Sequence, residues 1–223
     1  MRNTRLRVSG LLATAVFVVM VASDLLMLTS LDLSRPYRGF WSEALALPQG
    51  QVTLGYFLGE LTIPFYCVGA WHLSLTIRPR GHWVSRLILV TSAYSAAIFA
   101  VWHASFAFNR SIFRAEVAAG APASEPGPEA LFAFATYAEP LFRVGLAVAG
   151  IGLLSVFGMI LAGRTLYPRW AAVVLPVVFL VLAFVLAHYV PVSAAVVLRA
   201  GAWNSAGAAM FAMSTAILWN RDA

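Results

Sequence analysis

The chain has 223 residues, of which 61% are hydrophobic and only 11% are charged, and its mean hydropathy is +0.82. A soluble domain carries roughly a quarter charged residues, so this composition excludes an ordinary water-soluble protein and predicts an integral membrane protein. The net charge of +6 does not indicate a nucleic-acid partner, because every basic residue is an arginine and the arginines lie in short clusters between apolar runs.

Apolar runs of spanning length predict an all-α bundle of six transmembrane helices, since each run can cross a hydrocarbon core about 30 Å thick. The predicted helices are 8–29, 52–77, 83–106, 140–163, 168–190 and 194–219. The first run is longer than the core of a usual signal peptide, so we interpret it as an uncleaved helix. Residues 107–139 are predicted to form a long outer loop with a short surface helix within 130–137. The whole chain is expected to be one transmembrane domain.

The distribution of arginine predicts the orientation. The loops on the side of the two termini contain most of the arginines, and the opposite loops mix arginine with Asp and Glu. Because loops rich in Arg or Lys stay on the cytoplasmic side, both termini are predicted to be cytoplasmic. We therefore expect a multi-pass protein of a cell membrane.

Ionisable residues inside the predicted spans concentrate at the non-cytoplasmic end. A charged side chain at the centre of a membrane helix costs about 3 kcal/mol on insertion scales, so each one requires a partner or a function. The inner half contains little beyond His72 and interfacial arginines. Every predicted helix contributes polar residues to the outer third: Asp24, Glu60, His103, Glu139, Arg143, His188, Arg199 and Asn204. This pattern predicts a polar pocket that is open to the outside or to the outer leaflet.

Glu60 is the strongest single candidate in this group. Pro64 cannot donate a hydrogen bond to the Glu60 carbonyl, so we expect the helix to kink at that level. A freed carbonyl beside a buried carboxylate is tolerated only where it faces protein or a cavity. Gly55 and Gly59 form a GxxxG motif, which predicts close packing with a neighbouring helix.

The first functional hypothesis is a membrane-embedded enzyme that acts on a lipid-like or isoprenoid molecule. Its catalytic acid/base residues would be Glu60, Asp24 and His103. Its ligand-binding residues would be His188, Glu139, Arg143, Arg199 and Asn204. The expected partners are membrane lipid and a small hydrophobic or amphipathic ligand.

Several of these residues also have purely structural explanations. Glu139 and Arg143 are four residues apart and would form an ion pair on one helix face. Arg199 would extend to the lipid headgroups, and His188 would be an interfacial residue at a helix end.

Two other functions remain open at this point. One is a ligand-binding or transport protein that uses the same polar groups without chemistry. The other is a haem protein with His103 and His188 as axial ligands. A divalent metal on His103, His188 and Glu60 is a further possibility, and the sequence assures no cofactor. The three-histidine pattern of the alkaline ceramidase and progestin-receptor-like hydrolases is incomplete, because only two histidines share a face.

Short motifs spread along the chain also indicate a relationship. They are Asp24-Leu25-Leu26, then Leu58-Gly59 with Pro64, Tyr66, Gly69 and Trp71, then His103, and finally Pro191, Asn204 and Ser214. In these motifs the chain resembles an uncharacterised bacterial family of six-helix integral membrane proteins of unknown function. The resemblance implies a similar helix count and a location in the bacterial inner membrane, and it implies no activity.

Overall fold

The computed structural model describes residues 2–29, 45–77, 81–122, 127–189 and 192–220; for residues 2–3, 176–177, 187 and 192–199 only the backbone is described. These residues are almost entirely helical. In the described ranges the one β-type contact is an isolated bridge between Ile77 and Thr165. The predicted all-α class is confirmed.

α-Helices make up most of the described chain. They are α1 (Arg2–Leu28), α2 (Gln49–Thr62), α3 (Tyr66–Thr76), α4 (His82–Ala118), α5 (Pro128–Ala133), α6 (Glu139–Leu161), α7 (Pro176–Tyr189) and α8 (Val192–Leu218). A 3-10 turn, Ile63–Phe65, joins α2 to α3, and a π-helical turn, Phe134–Ala138, joins α5 to α6. Each of these pairs therefore forms one continuous segment.

Four helical segments of the described chain are long and apolar enough to cross a membrane. They are Thr4–Leu28, Gln49–Thr76, His82–Ala118 and Pro128–Leu161. Large apolar side chains are exposed along these segments, and examples are Leu54, Phe57, Leu61, Val90 and Leu154. Such exposure is favourable in contact with lipid and unfavourable in contact with water. The 14 residues of α7 extend about 21 Å, and the six-residue 3-10 helix before it adds about 12 Å, so α7 would cross a membrane only together with that 3-10 helix.

The fourth helix is longer than the sequence predicted. The apolar run ends near residue 106, but α4 continues to Ala118, and the turn that follows contains Gly120 with a φ of +100°. Polar residues of the added turns have partners: Arg110 donates from Nη2 to the Leu47 carbonyl at 2.6 Å. Hydropathy marks the end of the apolar run and not the end of the helix, so the prediction stopped too early.

The predicted long loop at 107–139 is therefore largely helical, which corrects the prediction. Its expected surface helix, residues 130–137, is the beginning of the continuous segment Pro128–Leu161. The carboxylate of Glu116 accepts a hydrogen bond from the backbone N–H of Gly127 at 3.0 Å. This contact satisfies a donor at the start of α5 and links it to the end of α4.

The predicted helix at 168–190 is divided into two parts. Residues Arg169–Val174 form a 3-10 helix, and α7 begins only at Pro176. Leu175 between them is extended, as expected for a residue before proline. The proline therefore separates the two parts, although the apolar run crosses it.

Both termini lie at the same end of the bundle. The Arg7 guanidinium donates from Nε to the Trp219 carbonyl at 2.9 Å, and its Cζ lies 4.8 Å from the centre of the Trp219 ring system. We call this the terminal end. The opposite end contains the end of α4 and the starts of α2 and α5.

A buried polar network lies on the side of the terminal end. His72 lies 3.0 Å from Ser9 through Nδ1 and 2.6 Å from Ser214 through Nε2, and the Tyr167 hydroxyl lies 2.6 Å from the same Ser214 oxygen. Burial raises the pKa of Tyr167 to about 12, so its hydroxyl stays neutral. The sequence identified only His72 here, because a search for charged groups overlooks neutral hydroxyls.

The contact between α1 and α2 depends on Gly55. Its position lets the Ser23 hydroxyl donate to the Gly55 carbonyl at 2.7 Å. A Cβ atom added at Gly55 would lie 2.9 Å from the backbone nitrogen of Met27 and 2.9 Å from the carbonyl oxygen of Ser23. Backbone atoms cannot move aside as a flexible side chain can, so alanine cannot fit without a shift of the helix. The packing that the GxxxG motif predicted is present here.

Gly55→Ala is expected to destabilise the protein by about 1–3 kcal/mol, the usual cost of overpacking a tight contact. The measurement is thermal unfolding in detergent micelles. Gly150→Ala is the control, because a Cβ there meets no atom within 4 Å, and alanine favours a helix over glycine. Equal melting temperatures for the two variants would contradict this account of the α1–α2 contact.

Candidate functional site

A histidine is held between two carboxylates inside the bundle. His103 of α4 is 2% exposed. Its Nδ1 lies 3.2 Å from Oε1 of Glu60 on α2, and its Nε2 lies 3.8 Å from Oδ1 of Asp24 on α1. Buried ionisable groups are stable only when they are paired, so these three side chains stabilise one another. We call Glu60, His103 and Asp24 the carboxylate–histidine cluster.

Two further helices hold the Asp24 end of this cluster. Asn204 of α8 donates from Nδ2 to Oδ2 of Asp24 at 2.6 Å. The Tyr66 hydroxyl of α3 donates to Oδ1 of Asn204 at 2.5 Å. The amide of Asn204 therefore receives one hydrogen bond and gives another, which fixes its orientation. The structure thus joins Asp24, Glu60, His103 and Asn204, which the sequence proposed as site residues, through contacts among five helices.

The imidazole of His103 occupies space that a glycine leaves open. A Cβ atom at Gly59 would lie 2.6 Å from Nε2 of His103 and 2.7 Å from Oγ of Ser23. The second glycine of the GxxxG motif therefore leaves room for the His103 side chain, whereas the first leaves room for the backbone of α1.

The position of Ser23 indicates where the histidine carries its protons. Oγ of Ser23 lies 3.3 Å from Nε2 of His103, but its proton is directed to the Gly55 carbonyl at 2.7 Å. The hydroxyl oxygen can then only accept a hydrogen bond from Nε2–H. Nδ1 of His103 then faces the Glu60 carboxyl group at 3.2 Å, within the distance of a hydrogen bond along which a proton can be exchanged.

Glu60, His103 and Ser23 have the connectivity of a catalytic triad, but Ser23 is not an available nucleophile. A triad needs a hydroxyl that can reach a substrate. Ser23 is 0% exposed, its proton is engaged by a backbone carbonyl, and it is not among the residues that line the cavity described next. Ser23 instead orients the imidazole.

A partly open cavity of about 180 Å³ lies beside the cluster. Asp24, His103, Tyr66 and Asn204 line it together with many apolar side chains of α1, α4, α6 and α8. On α4 the lining extends from Ile88 to His103, about 22 Å along the helix axis. The cavity is therefore long and apolar and has its carboxyl, imidazole and amide groups near one end.

Glu60 is positioned differently from the other cluster members. It does not line this cavity; it contacts the imidazole nitrogen that faces away from Asp24, and its side chain is 21% exposed. The geometry therefore gives Glu60 access to a ligand in the cavity only through His103.

Of the other predicted ligand-binding residues, Glu139, Arg143 and His188 are not among the described residues that line the cavity. Arg143 pairs with Glu139 on the same helix face, and their side chains are 74% and 44% exposed. His188 is exposed, and its ring packs edge-on against Tyr189. Arg199 lies in α8, but its side chain is outside the described residues. The structural explanation given for Glu139 and Arg143 from their spacing therefore agrees with their geometry.

The described part of the chain contains no group of three or more His, Cys, Asp or Glu side chains arranged to hold a metal ion. In the carboxylate–histidine cluster the reason is geometric: Glu60 and Asp24 contact opposite nitrogens of His103, so the three groups do not converge on one point. Both ring nitrogens already have partners. Ligation of haem iron by His103 would require one of these contacts to break.

The sequence did not predict three of the residues that form the site, which are Tyr66, Ser23 and Gly59. Tyr66 and Gly59 appear in the motifs that gave the family resemblance, and Ser23 precedes Asp24, so each offered a signal. The signal was ambiguous because these residue types are common in membrane helices for packing alone.

Asn204→Leu is expected to destabilise the protein by about 1–3 kcal/mol, because the Asp24 carboxylate loses a donor and the Tyr66 hydroxyl loses its acceptor. Thermal unfolding in micelles measures the loss. Ser205→Ala is the matched control on the same helix, since Ser205 is exposed. If Asn204→Leu and the control unfold at the same temperature, these two hydrogen bonds contribute nothing to stability.

Comparison with known proteins gives one relationship. No curated protein and no solved structure matches this chain. The sequence profile of a family of unknown function, DUF6796, matches residues 1–222, which is nearly the whole length. The chain therefore belongs to the family of unknown function DUF6796.

Proposed function

We propose that this protein is a membrane-embedded enzyme that acts on a lipid-like or isoprenoid small molecule by acid/base chemistry. One observation carries the proposal: His103 and Asp24 line a long apolar cavity, and behind His103 stands a carboxyl group that can exchange a proton with it. Acid/base catalysis needs an oriented group with a proton to give, near the bound substrate.

The residues have distinct roles in this proposal. His103 gives a proton to the ligand from Nε2, and Glu60 positions the ring and replaces the proton through Nδ1. Asp24 accepts a proton from the ligand or binds its polar group, and Asn204 and Tyr66 hold that carboxyl in place. The distance of 3.8 Å between His103 and Asp24 exceeds a hydrogen bond, so a small polar group of a ligand can bridge them.

The membrane arrangement that we propose has six spans, with both termini in the cytoplasm and the pocket facing outward. The four long apolar segments and the contact between Arg7 and Trp219 support it. The arginine-rich loops of the terminal end support its cytoplasmic side. A cell membrane, of the bacterial inner membrane type, is the proposed location, and membrane lipid is the proposed source of the ligand.

The test uses purified protein in liposomes made from a total bacterial lipid extract that includes isoprenoids. Mass spectrometry before and after incubation should show at least one lipid species consumed and one formed. Asp24→Asn and His103→Gln should reduce the conversion by about 100-fold or more, the range for loss of a general acid or base. Glu129→Gln, an exposed acid outside the site, should convert lipid as the wild type does.

Two results would count against the enzyme: wild-type liposomes that stay identical to protein-free ones, and variants that keep full conversion. Both variants must first be shown to unfold at temperatures near that of the wild type, so that loss of activity is not loss of fold.

A separate prediction concerns Glu60. Glu60→Gln keeps a polar group beside Nδ1 of His103 but cannot exchange a proton with it, so turnover should fall by about 100-fold while KM stays near the wild-type value. Steady-state kinetics of lipid conversion in liposomes measure both constants. A variant that keeps the wild-type kcat would show that Glu60 acts only as a structural partner.

A non-enzymatic ligand-binding protein is the second candidate. It is favoured by the hydrogen bonds within the site, where Asp24, Asn204 and Tyr66 already satisfy one another. Such a site is stable without a substrate, and an apolar ligand could be held by the cavity walls alone. Transport is less favoured, because the polar network around His72 is fully packed and His72 does not line the cavity.

A further inference from the structure

The carboxylate–histidine cluster has the same net charge in either arrangement of its shared proton. With the proton on Nδ1, Glu60 and Asp24 are carboxylates and His103 is an imidazolium. With the proton on Glu60, His103 is neutral and Asp24 remains a carboxylate. Both arrangements sum to −1 when Asp24 is ionised. When Asp24 is ionised, the negative charge that reaches the cavity is that of its carboxylate, since Asp24 is the one acidic side chain among the described residues that line it.

A buried negative charge needs a positive partner, because desolvation of an unpaired ion is costly. Among the described residues that line the cavity, His103 is the one basic side chain, and its possible charge is already included in the sum. A cationic group on a ligand would pair with the Asp24 carboxylate at this position.

The cavity also has an aromatic corner beside the cluster. Trp203 and Phe142 both line it, with ring centroids 6.0 Å apart and planes at 89°. Trp203 directly precedes Asn204 in α8. Phe142 stacks at 4.3 Å on Trp102, which precedes His103 in α4. Both rings are therefore at the level of the polar groups. The two rings meet edge to face, and aromatic rings beside a carboxylate are a setting in which alkylammonium groups bind through cation–π interactions.

We infer that the cavity binds an amphiphile with an ammonium head group, with the ammonium between Asp24 and the aromatic corner of Trp203 and Phe142. The hydrocarbon chain lies toward the terminal end, along Leu146 and Met210, where the lining is apolar. This inference rests on the proposed function for the location of the site, and it adds the substrate class.

The test is a binding comparison among three radiolabelled amphiphiles of one chain length: dodecylamine, dodecanol and dodecanoate. The protein is held in nanodiscs of zwitterionic lipid, and empty nanodiscs give the partitioning background. Dodecylamine should bind saturably and at least about 10-fold more tightly than dodecanoate, the gain expected from a charge pair with an aromatic contact. Equal or tighter binding of dodecanoate overturns the inference.

Single substitutions distinguish the effect of the Asp24 charge on binding from an effect on folding. Asp24→Asn removes the negative charge and keeps the shape, so dodecylamine should lose about 10-fold in affinity, whereas dodecanol should change by less than about twofold. Trp203→Leu should weaken dodecylamine more than dodecanol, because it removes an aromatic face. Glu129→Gln, an exposed acid far along the chain from the cluster, should leave all three affinities unchanged. An Asp24→Asn variant that binds dodecylamine as tightly as the wild type also overturns the inference.

The two proposals fail in different ways. If dodecylamine binds as expected but the liposomes show no conversion of lipid, the enzyme proposal fails and the ammonium site stands. If lipid is converted but the charge of the head group makes no difference to binding, the ammonium site fails and the enzyme proposal stands.

Discussion

The need to keep ionisable side chains paired inside an apolar bundle organises this protein around His103. Lipid and apolar side chains offer no hydrogen bonds, so the imidazole must find partners for both ring nitrogens within the fold. Glu60 supplies one partner, and Ser23 and Asp24 supply the other. Since these residues lie on α1, α2 and α4, the same contacts fix the relative positions of three helices. Asn204 and Tyr66 extend the constraint to α8 and α3.

Small residues make this arrangement sterically possible. Gly55 brings the backbones of α1 and α2 together, and Gly59 leaves room for the imidazole that packs over the same helix. In membranes, close approach of helices depends on such residues because there is no hydrophobic force between helices in lipid. Here two glycines one turn apart combine packing with function: one positions Ser23, and the other admits the ring that Ser23 orients.

A column of aromatic rings connects the two buried polar networks. Tyr66 stacks on Phe17 at 4.6 Å, Phe17 stacks on Phe211 at 5.3 Å, and Phe211 meets the ring of His72 edge-on at 5.9 Å. The column also forms one wall of the cavity. Phe17, Tyr66 and Phe211 therefore both pack between the two networks and line the cavity.

The polar groups at one end of the cavity and the apolar lining along its length match the two parts of an amphiphile. A carboxylate beside two aromatic faces favours a cationic group, and a long apolar lining favours a hydrocarbon chain. Ligand binding alone does not require the contact between Glu60 and Nδ1 of His103, and the proposed acid/base chemistry uses it. Together these features connect a lipid-derived ligand with acid/base chemistry more directly than any single residue does.

Composition and periodicity by themselves determined the all-α class, the apolar segments and the short list of costly polar residues, because the membrane penalises charge wherever it occurs. They placed Glu60, His103, Asp24 and Asn204 at one level, since depth along a helix follows from residue number at 1.5 Å per residue. They also led to errors: α4 extends beyond its apolar run, since hydropathy does not mark helix ends, and Pro176 divides a run that reads as continuous.

Only the tertiary structure decided which polar residues meet. Residue number gives depth but not the rotation of each helix or its neighbours, so the sequence could not distinguish His103, which faces the bundle, from His188, which is exposed. It could not show that Glu60 lies behind the imidazole and not in the cavity, or that Ser23 directs its proton to a carbonyl. Those facts depend on contacts between residues far apart in the chain, which packing alone brings together.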